Sequence, residues 1–271
     1  MSNRIRISEI FQSIEGEGPN LGRPTLFVRT YGCNFTCAGF SNPGHLAKVD
    51  SFITSDLRSL DDFEYIGGCD SIYSWHPAYK HLTTWFTVDE LIKELADSEA
   101  QILSITGGEP LLHQDFLTEL LLRDDELSHF NKILIETNGS VVVSNDFINA
   151  AKNCMITIEF SISPKLSNSG EKRSIAINAK AIKKLEEAGF IYFKFVTSGK
   201  PEEIEEIKGV LDNYSETLPL MLNSDVWLMP EGAEKEQIEL CQKQVVNACL
   251  ANNWNFSPRM HVYIWGSKAG T

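Results

Sequence analysis

The feature that most constrains this chain is a regular alternation of two hydrophobic periods. Short β-branched or aromatic runs recur at TLFVRTYG (25–32), ILSITGG (102–108), ILIETNG (133–139), ITIEFSI (156–162), YFKFVTS (192–198), VWLMPE (226–231) and HVYIWG (261–266). Their length and composition predict strands. Between them lie segments of helical period: VDELIKELAD (88–97), DFLTELLLRD (115–124), AIKKLEEA (181–188), PEEIEEIKGVL (201–211) and a long helix over 233–251. Thr87 with Glu90 three residues on forms a capping box, Pro201 opens a first turn, and Gly189 follows a last one. Strand followed by helix, repeated, predicts parallel βαβ units in a single α/β domain spanning 1–271.

In such sheets chemistry collects at the C-terminal ends of the strands. The unusual residues stand there: Gly-Gly-Glu-Pro, Glu-Thr-Asn-Gly, Ser-Pro-Lys and Met-Pro-Glu-Gly. The segment 39–68 fits no βα unit, and its length makes it a functional or partly ordered insertion in the expected scheme. A net charge of −13 argues against nucleic acid as a partner and favours a small molecule. No stretch approaches 18 consecutive apolar residues and the N-terminus has no apolar core, so a soluble, cytoplasmic protein without membrane contact is expected.

Six cysteines in a reducing compartment do not predict a disulfide framework. Cys154, Cys241 and Cys249 read as inert thiols packed among apolar neighbours. His76, His81 and His113 show no metal-ligand spacing. Cys33 and Cys37, in YGCNFTCAGF, are different. A C-x3-C pair after a strand can be packing, a zinc half-site or a cluster half-site, and Phe40 stands where a third cysteine would complete C-x3-C-x2-C. The next cysteine is Cys69, preceded by two glycines, which makes the spacing C-x3-C-x31-C. Three thiolates hold three irons of a [4Fe–4S] cluster and leave the fourth open.

With these residues in order, the chain resembles radical S-adenosylmethionine enzymes, and among them the 7-carboxy-7-deazaguanine synthase family. FQSIEGEG (11–18), then Gly22, Pro24, Phe27, Arg29, Gly32 and Cys33, follows that family's opening pattern. Cys69-Asp70-Ser71 with Ser74-Trp75 matches the third-cysteine end of its cluster motif, as though 29 residues had been inserted where the family has only two (31 − 2). Loop-closure scaling puts the cost of that lengthening at about 2 kcal/mol, which a metal–thiolate bond offsets.

The resemblance implies an incomplete (β/α) barrel of the radical S-adenosylmethionine type. It implies a [4Fe–4S] cluster on Cys33, Cys37 and Cys69, with S-adenosylmethionine on its open iron, beside Gly108 and Glu109 of Thr-Gly-Gly-Glu-Pro and Ser163, Pro164 and Lys165 of Ser-Pro-Lys. Strand-end carbonyls and a carboxylate suit an ammonium, and glycines permit close approach. The implied substrate is a carboxylated tetrahydropterin held by Ile14, Glu15, Gly16, Arg29 and Thr106, with Mg2+ on the Ser71 hydroxyl. The implied reaction begins with a 5′-deoxyadenosyl radical and ends in ring contraction to 7-carboxy-7-deazaguanine with loss of ammonia. No residue is expected to act as acid or base. A flavodoxin-like reductant and a homodimer complete what the resemblance implies. Position 15 departs from it: the family usually has Gln, and an acid can still accept from a pterin's N–H groups but cannot donate as an amide does. Alternatives are another radical reaction on a related heterocycle, a non-catalytic binding protein on the same barrel, and a zinc protein using the same cysteines.

Overall fold

A computed structural model describes residues 3–40, 57–63, 65, 67–216 and 225–271. Most of the expected insertion over 39–68 therefore lies outside the described residues. The described strands form one nine-stranded sheet in the order β3-β1-β2-β4-β5-β6-β7-β8-β9. These are β1 (Arg4–Ile14), β2 (Pro24–Thr30), β3 (Thr84–Thr87), β4 (Ile102–Gly107), β5 (Lys132–Thr137), β6 (Thr157–Ile162), β7 (Phe190–Thr197), β8 (Val226–Pro230) and β9 (Asn255–Phe256). From β2 through β9 every neighbouring pair is parallel, whereas β1 joins β2 and β3 antiparallel. The end strands β3 and β9 do not pair with each other, so the barrel is incomplete, as expected.

The sheet divides its residues by the two-residue period of a strand. Leu103 and Ile105 of β4, Ile133 and Ile135 of β5, and Phe193 and Phe195 of β7 join one large buried core. That core packs them against the apolar faces of α1 (Val88–Leu95), α2 (Gln114–Leu121), α3 (Asn145–Asn153), α5 (Ala179–Ala188) and α6 (Pro201–Ser215). The alternate residues Ile102, Leu134 and Tyr192 form a separate apolar layer inside the curl. One or two steps further along the same faces come Thr106, Glu136 and Lys194, which line a cavity. Below, Lys132 bonds both Glu159 (2.7 Å) and Asn20 (2.8 Å), a polar cluster made by the starts of two strands and the turn after β1.

Local signals hold where a side chain closes a hydrogen bond. The Thr87–Glu90 capping box forms at α1, and Pro201 occupies the first turn of α6. Six expected strands are present. HVYIWG is not one: Met260–Trp265 is a short helix, α8, ended by Gly266 at φ +72°. The last ladder position on β8 is taken by Asn255 and Phe256, and Pro258, which lacks an N–H, interrupts the chain before a strand could continue. Strand β1, helix α3 and the four-residue α4 (Arg173–Ala176) were not anticipated. In β1 charged residues occupy Arg4, Arg6 and Glu9, so no apolar run signals it. The remaining long helix, α7, spans Lys235–Asn252, and the thiols of Cys241 and Cys249 are buried on it, as expected.

Candidate active site

A cavity of about 260 Å3 opens among the C-terminal ends of the parallel strands. Its walls include Cys33, Cys37 and Cys69 together with Ser71, Ser163 and Lys165, all singled out by the sequence. Ile14, Glu15, Gly16, Arg29, Thr106 and Gly108 also line it. Two singled-out residues do not. Pro164 is buried behind the wall. Glu109 is fully buried, and its carboxylate accepts from Leu111 N (3.1 Å), Thr137 Oγ1 (2.7 Å) and Asn138 N (2.7 Å). It thus ties the end of β4 to the end of β5. Burial raises its pKa, while the Asn138, Thr137 and Leu111 donors oppose that shift.

The cysteine loop is held from several sides. Phe35 N donates to Cys33 Sγ (3.4 Å), and Trp75 Nε1 donates to Cys69 Sγ (3.4 Å). Ser71 Oγ lies 3.5 Å from the same sulfur. Cys37 takes a left-handed backbone, φ +48°, and its N–H donates to Glu171. A Cβ on Gly108 would stand 2.3 Å from Gly32 O and 2.7 Å from Cys33 Cβ, so only glycine lets the two strand ends meet there. Burial pushes the Cys33 thiol up to about 12 and raises Cys37 and Cys69 as well, so metal-free thiols stay protonated.

The donor set fits a cluster. Three unpaired thiols, each in contact with the same small apolar group around Phe35 and Ala176, face one cavity. Among the described residues no histidine, cysteine, aspartate or glutamate side chains converge in threes as ligands of one shared ion would. A cube asks for a wider triangle, since each thiolate binds a different iron at its own corner.

The cavity is also lined by a largely buried ionic network that sequence reasoning missed. Glu17 is paired with Lys194 of β7 and accepts from Arg259 Nε (3.1 Å), while His261 Nε2 stands 3.8 Å away. Arg259 also binds Asp70, next to Cys69, and the Gly232 carbonyl. Although burial works in the opposite sense, Lys194 and Arg259 hold Glu17 far below the usual carboxylate range. Burial lowers His261 to about 4 despite the attraction of Glu17. The available signal was Glu17 itself, inside FQSIEGEG. Lys194 and Arg259 lie in runs that read as plain strand or tail. Arg29, expected to meet a carboxylate, already has one: its Nε bonds Glu9 Oε1 at 2.6 Å, and Tyr73 donates to the same oxygen at 2.8 Å. The guanidinium carbon lies 6.0 Å from the Phe11 ring centroid and 5.7 Å from that of Tyr73, and its other donors are left for a second partner.

A family model described as "4Fe-4S single cluster domain" matches residues 14–185, well over half of the chain. The chain belongs to the 4Fe-4S single cluster domain family. That match spans Cys33, Cys37 and Cys69, together with the Gly-Gly-Glu and Ser-Pro-Lys segments of this family member. The chain is 28% identical to the 7-carboxy-7-deazaguanine synthase of Halobacterium salinarum, over 98% of this chain and 93% of that one. It is also 28% identical to the 7-carboxy-7-deazaguanine synthase of Pyrobaculum aerophilum, over 98% and 97%. In fold it is similar to the crystal structure of QueE from Escherichia coli, with a TM-score of 0.61, 22% identity and 95% of each chain covered. Among the described residues no helix is long and apolar enough to cross a membrane.

Proposed function

We propose that the chain is a 7-carboxy-7-deazaguanine synthase: a radical S-adenosylmethionine lyase that contracts the ring of 6-carboxy-5,6,7,8-tetrahydropterin with loss of ammonia. The observation that carries this is the convergence of the three cysteines, the Gly-Gly and Ser-x-Lys segments, Arg29 and Glu15 on one strand-end cavity. When bound, the cluster and S-adenosylmethionine supply one-electron radical chemistry. The chain's own residues bind, orient and shield.

Cys33, Cys37 and Cys69 would hold the cluster. Gly108 lets an amino-acid moiety approach the strand end, and Lys165, whose Nζ bonds Ser163 Oγ at 3.1 Å, brings positive charge to that rim. Arg29, oriented by Glu9, would take the pterin carboxylate through its remaining donors. Thr106, Ile14 and Gly16 would bound the ring system. Ser71 offers one hard oxygen to Mg2+, whose other ligands would come from substrate and water. The network of Glu17, Lys194 and Arg259 keeps the floor polar, rigid and internally neutralised. By resemblance the reading extends to a cytoplasmic homodimer that receives electrons from a flavodoxin-like partner, with residues 39–68 as an insertion in a single domain.

The test is an anaerobic incubation of reconstituted protein with reductant, S-adenosylmethionine and the tetrahydropterin, followed by mass spectrometry. The product 7-carboxy-7-deazaguanine is expected. 5′-Deoxyadenosine without that product would sink the substrate assignment, and neither species would sink the radical reading.

A further inference from the structure

We infer that Glu15 is carried in the folded chain as an uncharged carboxylic acid, with its Oε2 hydroxyl serving as a hydrogen-bond donor to the substrate. The inference deepens the proposed function and rests on it for the identity of the ligand. It begins with what each carboxyl oxygen touches. Oε1 accepts from Glu17 N at 3.2 Å. Oε2 is buried and has no hydrogen-bond partner among the described residues. The residue lines the cavity but is only 4% exposed, and Oε2 itself is closed to solvent, so a ligand meets it when the carboxyl turns toward the cavity.

The charges around it decide the proton. Glu136 of β5, half-buried, and the buried Glu17 stand beside Glu15, and together they make three carboxyl groups in one lobe of the cavity. Facing them, Lys194 of β7 is ion-paired to Glu17 and lies 3.9 Å from Glu136. Arg259 divides its donors among Glu17, Asp70 and Gly232. His261 of α8 is a neutral imidazole above about pH 4, and the Tyr192 hydroxyl of β7 is raised by burial and stays protonated. Neither cation of the lobe is ion-paired with Glu15, and the attraction of Lys194, which is engaged by Glu17, only partly offsets the burial. An ionised Glu15 would thus be a buried anion next to two others, with no partner for one oxygen, and capture of a proton is the cheaper state. Burial first, then Glu136, drives its pKa well above the ordinary carboxylate value.

A neutral carboxyl presents one acceptor and one O–H donor, the same kinds of group as a side-chain amide. This resolves the departure at position 15. The acid can donate to a pterin carbonyl or ring nitrogen as glutamine would, and it adds no negative charge against a carboxylated ligand. Unlike an amide it titrates, so the donor is present below its pKa in the folded chain and lost above it.

The experiment compares the reconstituted native protein with Glu15→Gln. Infrared difference spectra from pH 6 to pH 10 read the proton directly, without substrate. A protonated-carboxyl C=O band at pH 7 that the substitution removes is expected. KM for the tetrahydropterin is then measured over the same range. The native value should rise by up to about tenfold per pH unit above the Glu15 pKa relative to Glu15→Gln, a ratio that cancels titration of the substrate itself. No Glu15-dependent band at pH 7 overturns the inference, whatever the turnover. A band with superimposable KM profiles overturns the donor role. Absence of the deazaguanine product from both proteins counts against the assigned reaction, and the band still reports the proton.

Discussion

One carboxylate oxygen, Glu171 Oε1, accepts the backbone N–H of both Thr36 and Cys37 at 2.8 Å, and the Thr36 hydroxyl at 3.2 Å. The glutamate therefore pins the loop that carries the second cysteine, in the strained left-handed conformation that Cys37 adopts. A second clasp lies next to it, where Gly39 N donates to Ser169 O at 2.8 Å. A charge-assisted bond of this kind is worth about 1.5–3 kcal/mol, less where it is partly exposed. Glu171→Ala should lower iron bound per chain after anaerobic reconstitution and gel filtration by more than half. Glu171→Gln, which keeps one acceptor oxygen, should lose much less. Equal iron in all three proteins would show that the loop needs no clasp.

The assignment of Cys69 as third ligand has its own test. Cys69→Ala should abolish retention of roughly four irons per chain, whereas Cys241→Ala, in a buried helical position, should retain them. Iron and sulfide analysis distinguishes the two. Full cluster content in Cys69→Ala would remove both that ligand and the adjacent Ser71 from the site.

Gly108→Ala places a methyl group 2.3 Å from the Gly32 carbonyl oxygen, a contact with backbone that cannot rotate away. A cost of about 1–3 kcal/mol is expected, together with weakened S-adenosylmethionine binding. Gly22→Ala is the matched control. Its Cβ meets nothing within 4 Å, and only the backbone at φ +80° resists it, so it should cost about 1 kcal/mol and leave cofactor binding alone. Thermal denaturation and equilibrium binding separate strain from site damage.

Lys194→Met should remove one of the two cations that neutralise the buried Glu17, leaving Arg259, and cost up to about 3 kcal/mol, the low end of what breaking a buried pair costs. The double variant with Glu17→Gln should recover part of that loss, because the half-compensated charge is then gone and Arg259 keeps Asp70. Failure of the second substitution to rescue would mean that Lys194 acts through packing alone.

His261 makes stability depend on acid. Its folded pKa, about 4, lies below the ordinary value of 6.5, so the folded chain binds fewer protons than the unfolded chain between those limits. Its contribution is complete above pH 6.5 and is lost as pH falls toward 4. Allowing for its partial exposure, the change is about 2 kcal/mol. Denaturation midpoints at pH 5 and pH 7 should differ less in His261→Gln than in the native protein. An unchanged difference would assign the acid sensitivity to other groups, His113 first, whose pKa burial also lowers, since the depressed Glu17 loses its contribution only below about pH 4.5.

Most of the parallel sheet was legible because its strands are apolar on both faces near their starts, where Ile102 and Leu134 pack inward while Leu103 and Ile133 pack outward. Strand β1 was not, because its partners are antiparallel and one face carries Arg4, Arg6 and Glu9. The final helix was misread because a run of His, Val, Tyr, Ile and Trp carries strand propensity, and only tertiary context decides against it. The rim of the site could be read since its residues cluster in short motifs. The floor could not: Glu17, Lys194 and Arg259 are far apart in the chain, and nothing local marks a lysine in the middle of YFKFVTS as buried and paired.

The alternation along β7 has a consequence for how such a protein can change over time. Phe193 and Phe195 belong to the core, while Tyr192, Lys194 and Val196 belong to the interior and the cavity. Two interleaved texts are thus written on one strand, and each can be edited by substitution with little damage to the other. A single inserted or deleted residue would exchange them, turning lysine toward the helices and phenylalanine into the cavity. Heritable changes of length are therefore confined to the connections, and new specificity must arise one alternate position at a time.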